Sequence, residues 1–143
     1  MERTKTGPMK DLFIRGTADT PEIDFKANET LKINKKTLKG GIFKMTGISI
    51  PFDADTFYFK VIDYIELFSL KGDMLIFEFE MDYYNTHSLR YLSKIFSILN
   101  DMVKKGKSVL VNWKHRKIDE DMQEIGEDYK ELYPDLTFNV IRI

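Results

Sequence analysis

The sequence contains no cysteine and only two histidines among its 143 residues. Without cysteine the chain cannot form a disulfide framework, a zinc ribbon, an iron–sulfur site or a thiol nucleophile. His87 and His115 are too few for a histidine-rich metal centre. The formal net charge of −1 provides no overall field that would wrap nucleic acid. We therefore expect no metal, no cofactor and no catalytic residues of the common types.

Long apolar segments are also missing. No run approaches the ~18 apolar residues of a membrane-spanning helix, and the N-terminal residues lack the apolar core of a signal peptide. These absences predict a cytoplasmic protein with no membrane partner. The chain does contain 11 Phe, 7 Tyr and 1 Trp within a hydrophobic fraction of 43%. That is enough for one sizeable core, so we expect a single domain over residues 11–143 after a flexible lead-in over residues 1–10.

The spacing of apolar residues predicts the order of the secondary structure. An apolar run at residues 12–14 is followed by alternation that predicts a β-hairpin over 23–33, with its turn at 27–29. The segment 35–49 is rich in Lys, Gly and Thr, which is typical of a loop or an additional hairpin. The later predicted elements are a helix that begins at Asp53 or Asp55 and ends at 71–73, a strand over 74–83, a helix over 86–105, a strand over 109–113, a helix that begins at Asp119, and a strand over 138–143.

This order predicts an α/β domain with a mixed sheet, in which an N-terminal β-hairpin is followed by αβαβαβ. Strands separated by helices of this length pair in parallel through right-handed crossovers. The side chains predicted to point to one side of the strand over 74–83 are Phe77, Phe79, Met81 and Tyr83. The other side of the sheet carries Glu78, Glu80, Asp82, Asn112 and Asn139. A parallel sheet covered on both faces has continuous apolar strands, so we expect helices mainly on one face and a partly open opposite face.

The junction between that strand and the next helix is a common place for functional groups in α/β sheets. Helical spacing puts Thr86 on the solvent-facing polar stripe, four residues before Arg90, whereas Ser88 faces inward. Thr86 is therefore predicted to be an exposed hydroxyl on the first helical turn, where free backbone N–H groups favour an anion. A phosphoryl group there would add about −1.5 to −2 charges beside Asp82 and within reach of Arg90. The alternative is that Asn85 or Thr86 only caps the helix.

An acidic stretch begins the third predicted helix and includes Asp119 and Asp121. Paired carboxylates can bind a metal or act as general acid and base, so an enzymatic function is one hypothesis for them. Acidic side chains also stabilise a helix N-terminus, and that interpretation is favoured. Further along, Gly126 weakens the helix and indicates close approach of a backbone or a partner.

Basic residues cluster at 104–107 and 114–117. The first group lies at a predicted helix C-terminus, where cations are favoured. Trp113 is the one aromatic residue near either group, so stacking platforms for bases are scarce and we expect no nucleic-acid partner. Sequence motifs of P-loop, dinucleotide-binding, serine-hydrolase and zinc-protease types are absent.

Five short segments nevertheless follow one recognisable pattern, in order along the chain. They are GTADTPE at 16–22, GISIP at 47–51, YYNT at 83–86, VNW at 111–113 and EDMQEIGED at 120–128. Together they resemble the SiaC family of bacterial regulatory phosphoproteins, and the resemblance extends from residue 12 to the C-terminus.

The resemblance implies a small α/β domain that is STAS-like in outline, with a non-enzymatic role in partner switching. In that family the unphosphorylated protein binds and activates a diguanylate cyclase. A protein kinase phosphorylates a threonine to break the complex, and a metal-dependent protein phosphatase restores it. The family's phosphothreonine segment corresponds here to Tyr84, Asn85 and Thr86, so the resemblance implies phosphorylation of Thr86.

Residues near Thr86 are expected to form the interface or to neighbour the phosphate. They are Asp82, Tyr84, Asn85, His87, Ser88 and Arg90. His87 replaces the small hydroxyl residue that is usual in the family, and the segment 35–46 is longer than is typical. The alternative function is a STAS-type anti-sigma-factor antagonist, or another adaptor-binding module, that phosphate does not control.

Overall fold

The structure is a computed structural model that describes residues 9–33 and 35–143. Residues 1–8 of the predicted lead-in lie outside the described residues. The described part of the chain forms β1 (Leu12–Ile14), β2 (Glu22–Ile33), β3 (Lys36–Ser49), α1 (Ala54–Lys71), β4 (Met74–Tyr84), α2 (Thr86–Lys104), β5 (Ser108–His115), α3 (Glu120–Leu132) and β6 (Thr137–Arg142). No helix within these ranges is long and apolar enough to cross a membrane.

The six strands form one sheet, in the order in which they occur along the chain. β2 pairs antiparallel with both β1 and β3, whereas β3, β4, β5 and β6 pair in parallel. Each helix connects two adjacent parallel strands. Right-handed connections that always step in the same direction place all three helices on one face of the sheet. The predicted α/β architecture, with an N-terminal hairpin and helices on one face, is therefore confirmed.

The hairpin turns later in the chain than the sequence predicts. β2 continues through residues 27–29, and its pairing with β3 shifts register between Lys26 and Glu29. The turn predicted there is therefore wrong. Ala27 is buried within this irregular part of the strand, and the shift absorbs the break in alternation that resembled a turn. The hairpin instead turns after Ile33, which pairs with Lys36.

The segment 35–49 is consequently not a loop, because β3 occupies almost all of it and lies in the middle of the sheet. The glycine that suggested a loop has a packing role. A Cβ atom at Gly40 would overlap the carbonyl group of Met74 in β4, so only glycine allows the two strands this approach.

The two faces of the sheet differ as the alternation predicts. On the helix face, the buried rings of Phe77 and Phe79 stack with centroids 4.3 Å apart. On the opposite face Glu78 accepts a hydrogen bond from the Asn112 amide and lies 3.0 Å from the Lys114 ammonium group. On the face that no helix covers, polar side chains are therefore satisfied by hydrogen bonds and ion pairs between neighbouring strands.

Both predicted aspartate caps are present. The Asp53 carboxylate accepts the Thr56 N–H at 3.1 Å, and the Asp119 carboxylate accepts the Met122 N–H at 3.0 Å. The Thr56 hydroxyl also donates to Asp53, and these two hydrogen bonds hold the pKa of the Asp53 carboxyl below its usual range. Each cap satisfies a backbone donor that has no partner inside its helix, which fixes where α1 and α3 begin.

The close approach indicated by Gly126 is made by a side chain of the same chain. A Cβ atom at Gly126 would lie 2.7 Å from the indole nitrogen of Trp113 in β5. That nitrogen donates a hydrogen bond of 2.9 Å to the Met122 carbonyl of α3. The glycine thus allows α3 to pack directly on a buried tryptophan.

Candidate functional site

The candidate site lies where β4 ends and α2 begins. Asn85 is the N-cap of α2, and its side-chain oxygen accepts the Ser88 N–H at 2.8 Å. Since Asn85 provides the cap, Thr86 is the first residue of the helix and its side chain is exposed. The N–H groups of Thr86 and His87 point out of the first turn, where no helical carbonyl precedes them. The predicted exposed hydroxyl at the positive end of a helix is therefore present.

A buried cluster of hydroxyl groups supports this helix start from below. The Ser49 hydroxyl at the end of β3 lies 2.6 Å from the Tyr58 hydroxyl of α1 and 2.8 Å from the Ser88 hydroxyl of α2. The Ser49 carbonyl also accepts the Asn85 N–H at 3.0 Å and the Ser88 hydroxyl at 3.0 Å. These bonds connect β3, α1 and α2, so the orientation of Thr86 is fixed by three elements.

Burial raises the pKa of the two buried tyrosines of this region. It raises the pKa of Tyr58 to about 12, although hydrogen bonds to Ser49 and Ser88 oppose the shift. Burial also raises the pKa of Tyr84 well above its usual range. Both phenols remain protonated near neutral pH, so neither of them acts as a base.

Removing the Ser88 hydroxyl is expected to destabilise the protein. Ser88→Ala takes one partner from Ser49 inside a fully buried cluster, and the free energy of unfolding should fall by about 1–3 kcal/mol. The measurement is urea unfolding followed by far-UV circular dichroism. Ser97→Ala, which removes an exposed hydroxyl from the same helix, serves as the control and should change stability by less than about 0.5 kcal/mol. Equal effects would show that the buried cluster contributes nothing.

A β-bulge at the end of β4 decides which tyrosine reaches the surface. Gly47 and Ile48 of β3 are consecutive, but their partners Met81 and Tyr83 are separated by one extra residue. An extra residue reverses the side-chain alternation beyond it. Tyr83 is consequently 55% exposed while Tyr84 is 4% exposed, so the prediction that Tyr83 points to the same side as Phe77, Phe79 and Met81 is wrong.

Tyr84, which the sequence places among the site residues, lies beneath the surface. Its hydroxyl donates to the Met45 sulfur at 3.3 Å, and its ring stacks on Trp113 with centroids 5.9 Å apart. Only its backbone is adjacent to the surface around Thr86. Tyr83 is the exposed aromatic residue there, and alternation alone did not reveal it.

The charged groups near the helix start are already arranged in pairs. Asp82, the extra residue of the bulge, lies 3.2 Å from the Arg116 guanidinium group. One turn after Thr86, the guanidinium group of Arg90 lies 3.4 Å from the His87 ring nitrogen Nδ1 and 6.0 Å from the centroid of the Tyr91 ring. Arg116 is thus a site neighbour that sequence spacing did not place near Asp82.

The other chemical hypotheses find little support in the arrangement of their residues. Asp119 already caps α3, and the residues that the structure describes contain no group of three or more side chains suited to a metal. The basic cluster at 114–117 is divided, because Lys114 pairs with Glu78 while His115 is buried.

Comparison with known sequences gives matches over most of the chain. Residues 14–143 match a family profile that is described as "SiaC family regulatory phosphoprotein". An uncharacterised protein of Pseudomonas aeruginosa strain UCBPP-PA14 is 29% identical over 126 residues, which cover 86% of this chain and 90% of that protein.

Solved structures show the same fold. Apo-SiaC of P. aeruginosa superposes with a TM-score of 0.73 at 26% identity, covering 94% of this chain and 98% of that chain. The activator SiaC in complex with the diguanylate cyclase SiaD, also from P. aeruginosa, gives a TM-score of 0.73 at 26% identity, covering 92% and 98%. With the profile match over nearly the whole chain, the protein belongs to the SiaC family of regulatory phosphoproteins.

Proposed function

We propose that this protein is a non-enzymatic regulator that binds and activates a diguanylate cyclase while Thr86 is unphosphorylated. The P. aeruginosa complex supports the partner class, because a SiaC of the same fold is there the activator of a diguanylate cyclase. The use of Asp119 as a helix cap supports a role without catalysis. In this proposal the protein acts in the cytoplasm and needs neither nucleic acid nor membrane.

The observation that carries the proposal is the exposed Thr86 hydroxyl on the first turn of a firmly anchored helix. A kinase can reach this hydroxyl without unfolding the protein. The free N–H groups of the turn and the helix dipole then stabilise the phosphoryl group, and Arg90 lies one turn further along the same stripe. A partner seated on this surface meets both a bulky group and new negative charge.

Reversibility in this proposal comes from two further proteins. A protein kinase phosphorylates Thr86 and a metal-dependent protein phosphatase removes the phosphoryl group. His87 lies next to the acceptor, so it contributes to what the kinase recognises. The added charge is large for this chain, since about −1.5 to −2 is added to a formal net charge of −1.

The modification itself is tested by intact-mass measurement of the protein isolated from its native host. We expect a fraction of the wild-type protein to carry the mass of one phosphoryl group, and Thr86→Ala to abolish that fraction. Thr56→Ala is the matched control, because Thr56 is also an exposed threonine on the first turn of a helix. Phosphorylation that persists in Thr86→Ala, or disappears only in Thr56→Ala, would contradict the assignment.

A further inference from the structure

The hairpin formed by β2 and β3 extends beyond the rest of the sheet. β1 pairs with residues 23–25 of β2, and β4 pairs with residues 41–49 of β3. In the described part of the chain, residues 29–33 and 36–40 therefore pair only with each other. This two-stranded extension is termed the lysine arm, because it carries four exposed lysines, Lys32, Lys35, Lys36 and Lys39.

The local structure of the arm does not account for its lysines. Lys35 has a positive φ of 69°, a left-handed conformation that glycine adopts at lower cost. No described carboxylate lies within ion-pair distance of the four ammonium groups. The arm is nevertheless held in place, because Leu31 is 6% exposed and pairs with Leu38. Four positioned lysines without a counter-charge form a surface that is complementary to an acidic partner.

An acidic surface of similar size lies on α3. Four of its carboxylates recur every three or four residues, so they form one stripe that extends roughly 16 Å along the helix axis. The helix dipole favours acidic residues in the first turn but disfavours them in the last turn. Carboxylates three or four residues apart also repel each other, so a cationic partner would stabilise this arrangement. The exposed carboxylates of α3, termed the acidic stripe, are Glu120, Asp121, Glu124, Glu127, Asp128 and Glu131.

The charge asymmetry of the chain is concentrated in these two segments. The lysine arm has four basic residues and one acidic residue, whereas α3 has six acidic residues and one basic residue. The remaining sequence has 17 basic and 16 acidic residues, so it is nearly neutral. The arm extends from β2 and β3, while α3 packs on β5 and β6 towards the other edge of the sheet. Neither charged surface finds a described counterpart within the same copy.

We propose that the lysine arm of one copy of this protein binds the acidic stripe of a second copy. The two surfaces match in length, because the arm spans roughly 14 Å from the pair Glu29–Gly40 to the pair Ile33–Lys36. The contact joins two different surfaces, so each bound pair retains one free arm and one free stripe. Copies therefore associate head to tail. This association goes beyond the proposed function and does not involve Thr86.

The contact is electrostatic, so it is weak and depends on salt. Exposed ion pairs contribute little individually, and we expect association at protein concentrations of about 0.1–1 mM. The Debye length falls from about 10 Å at 0.1 M salt to about 3 Å at 1 M salt, which screens exposed charges from each other. Association should therefore be strongest at low ionic strength and be lost as salt is added.

Engineered cysteines test the contact, because the chain has no cysteine of its own. Thr37→Cys on the arm and Gln123→Cys on α3 replace exposed neutral residues and keep every charge. The two full-length variants are mixed in equal amounts, oxidised at about 0.05 M salt, and the disulfide-linked pairs are identified by intact mass. Ser97→Cys, at an exposed position of α2, replaces Gln123→Cys in the control mixture. We expect the pair that joins positions 37 and 123 to exceed the control pair at least about tenfold, and the excess to vanish at about 0.5 M salt.

Charge reversal separates a specific contact from a general loss of structure. Lys36→Glu combined with Lys39→Glu on the arm should lower the yield of the 37–123 pair at least about tenfold. Glu124→Lys combined with Glu127→Lys on α3 should have the same effect. Mixing the acidic arm with the basic stripe should restore the yield, because opposite charges then face each other again. A loss caused by misfolding would not be restored in this way.

Several outcomes would overturn the proposal. They are a 37–123 yield equal to that of the Ser97→Cys control, a yield that does not change with salt, and a failure of the combined reversals to restore it. A mixture dominated by pairs of position 37 with itself would indicate a symmetric contact and contradict head-to-tail association. An arm cysteine that pairs with neither position would leave the lysines to an acidic surface of a different protein and contradict the second copy as the occupant. Lys60→Glu combined with Lys104→Glu makes the same charge change at exposed positions of α1 and α2, and an equal loss there would contradict the assignment to the arm.

Discussion

Replacing Thr86 by glutamate is expected to lower the affinity of the protein for its diguanylate cyclase at least about tenfold, a loss of about 1.4 kcal/mol or more in binding free energy. The hydroxyl is exposed at the first residue of α2, so the new carboxylate projects into the surface on which the partner is proposed to lie. Acidic residues in the first helical turn are compatible with the helix dipole, so the fold should be unaffected. Co-purification with the cyclase, quantified by mass spectrometry, measures the effect.

Two variants isolate the cause of that loss. Thr86→Ala removes the phosphate acceptor without adding charge and should bind at least as well as the wild type. Thr137→Glu adds the same charge at an exposed position where β6 begins, which is the opposite edge of the parallel sheet, and should also bind normally. Unchanged binding of Thr86→Glu, or an equal loss in Thr137→Glu, would contradict the switch.

Much of the fold is local enough to be predicted from the sequence. The helices were predicted from their apolar spacing and from caps such as Asp53 and Asp119, because a helix is specified within one stretch of chain. The hairpin turn and the orientation of Tyr83 cannot be predicted in this way, because each depends on a register shift against a neighbouring strand. The alternation of apolar and polar residues along one strand does not show where that strand has an extra residue relative to its partner.

Some features of the candidate site can likewise be predicted from the sequence, and others cannot. The exposure of Thr86 and the burial of Ser88 follow from helical spacing, and the structure confirms both. The supporting hydroxyls of Ser49 and Tyr58 were missed because they come from other elements, 39 and 30 residues away from Ser88. The one available indication was that Ser49 ends a strand immediately before a helix, at the same edge of the sheet as Thr86.

Gly126→Ala should lower the free energy of unfolding by about 2 kcal/mol, although alanine is the better helix former by about 1 kcal/mol. The added Cβ atom would lie 2.7 Å from the indole nitrogen of Trp113 and 3.0 Å from the indole carbon Cγ. The indole must move, and it then loses its hydrogen bond to the Met122 carbonyl. Urea unfolding measures the change, and Glu127→Ala, at an exposed neighbouring position of α3, is the control with an expected change below about 0.5 kcal/mol.

If steric overlap with the indole causes the loss of stability, the effect of Gly126→Ala should depend on the residue at position 113. Phenylalanine at this position has no indole nitrogen and leaves room above Gly126, so Gly126→Ala should cost less than about 0.5 kcal/mol in the Trp113→Phe background. The two costs then differ because the methyl group and the indole compete for one space. If Gly126→Ala were equally destabilising in both backgrounds, the glycine would be needed for the backbone of α3 and not for its approach to β5.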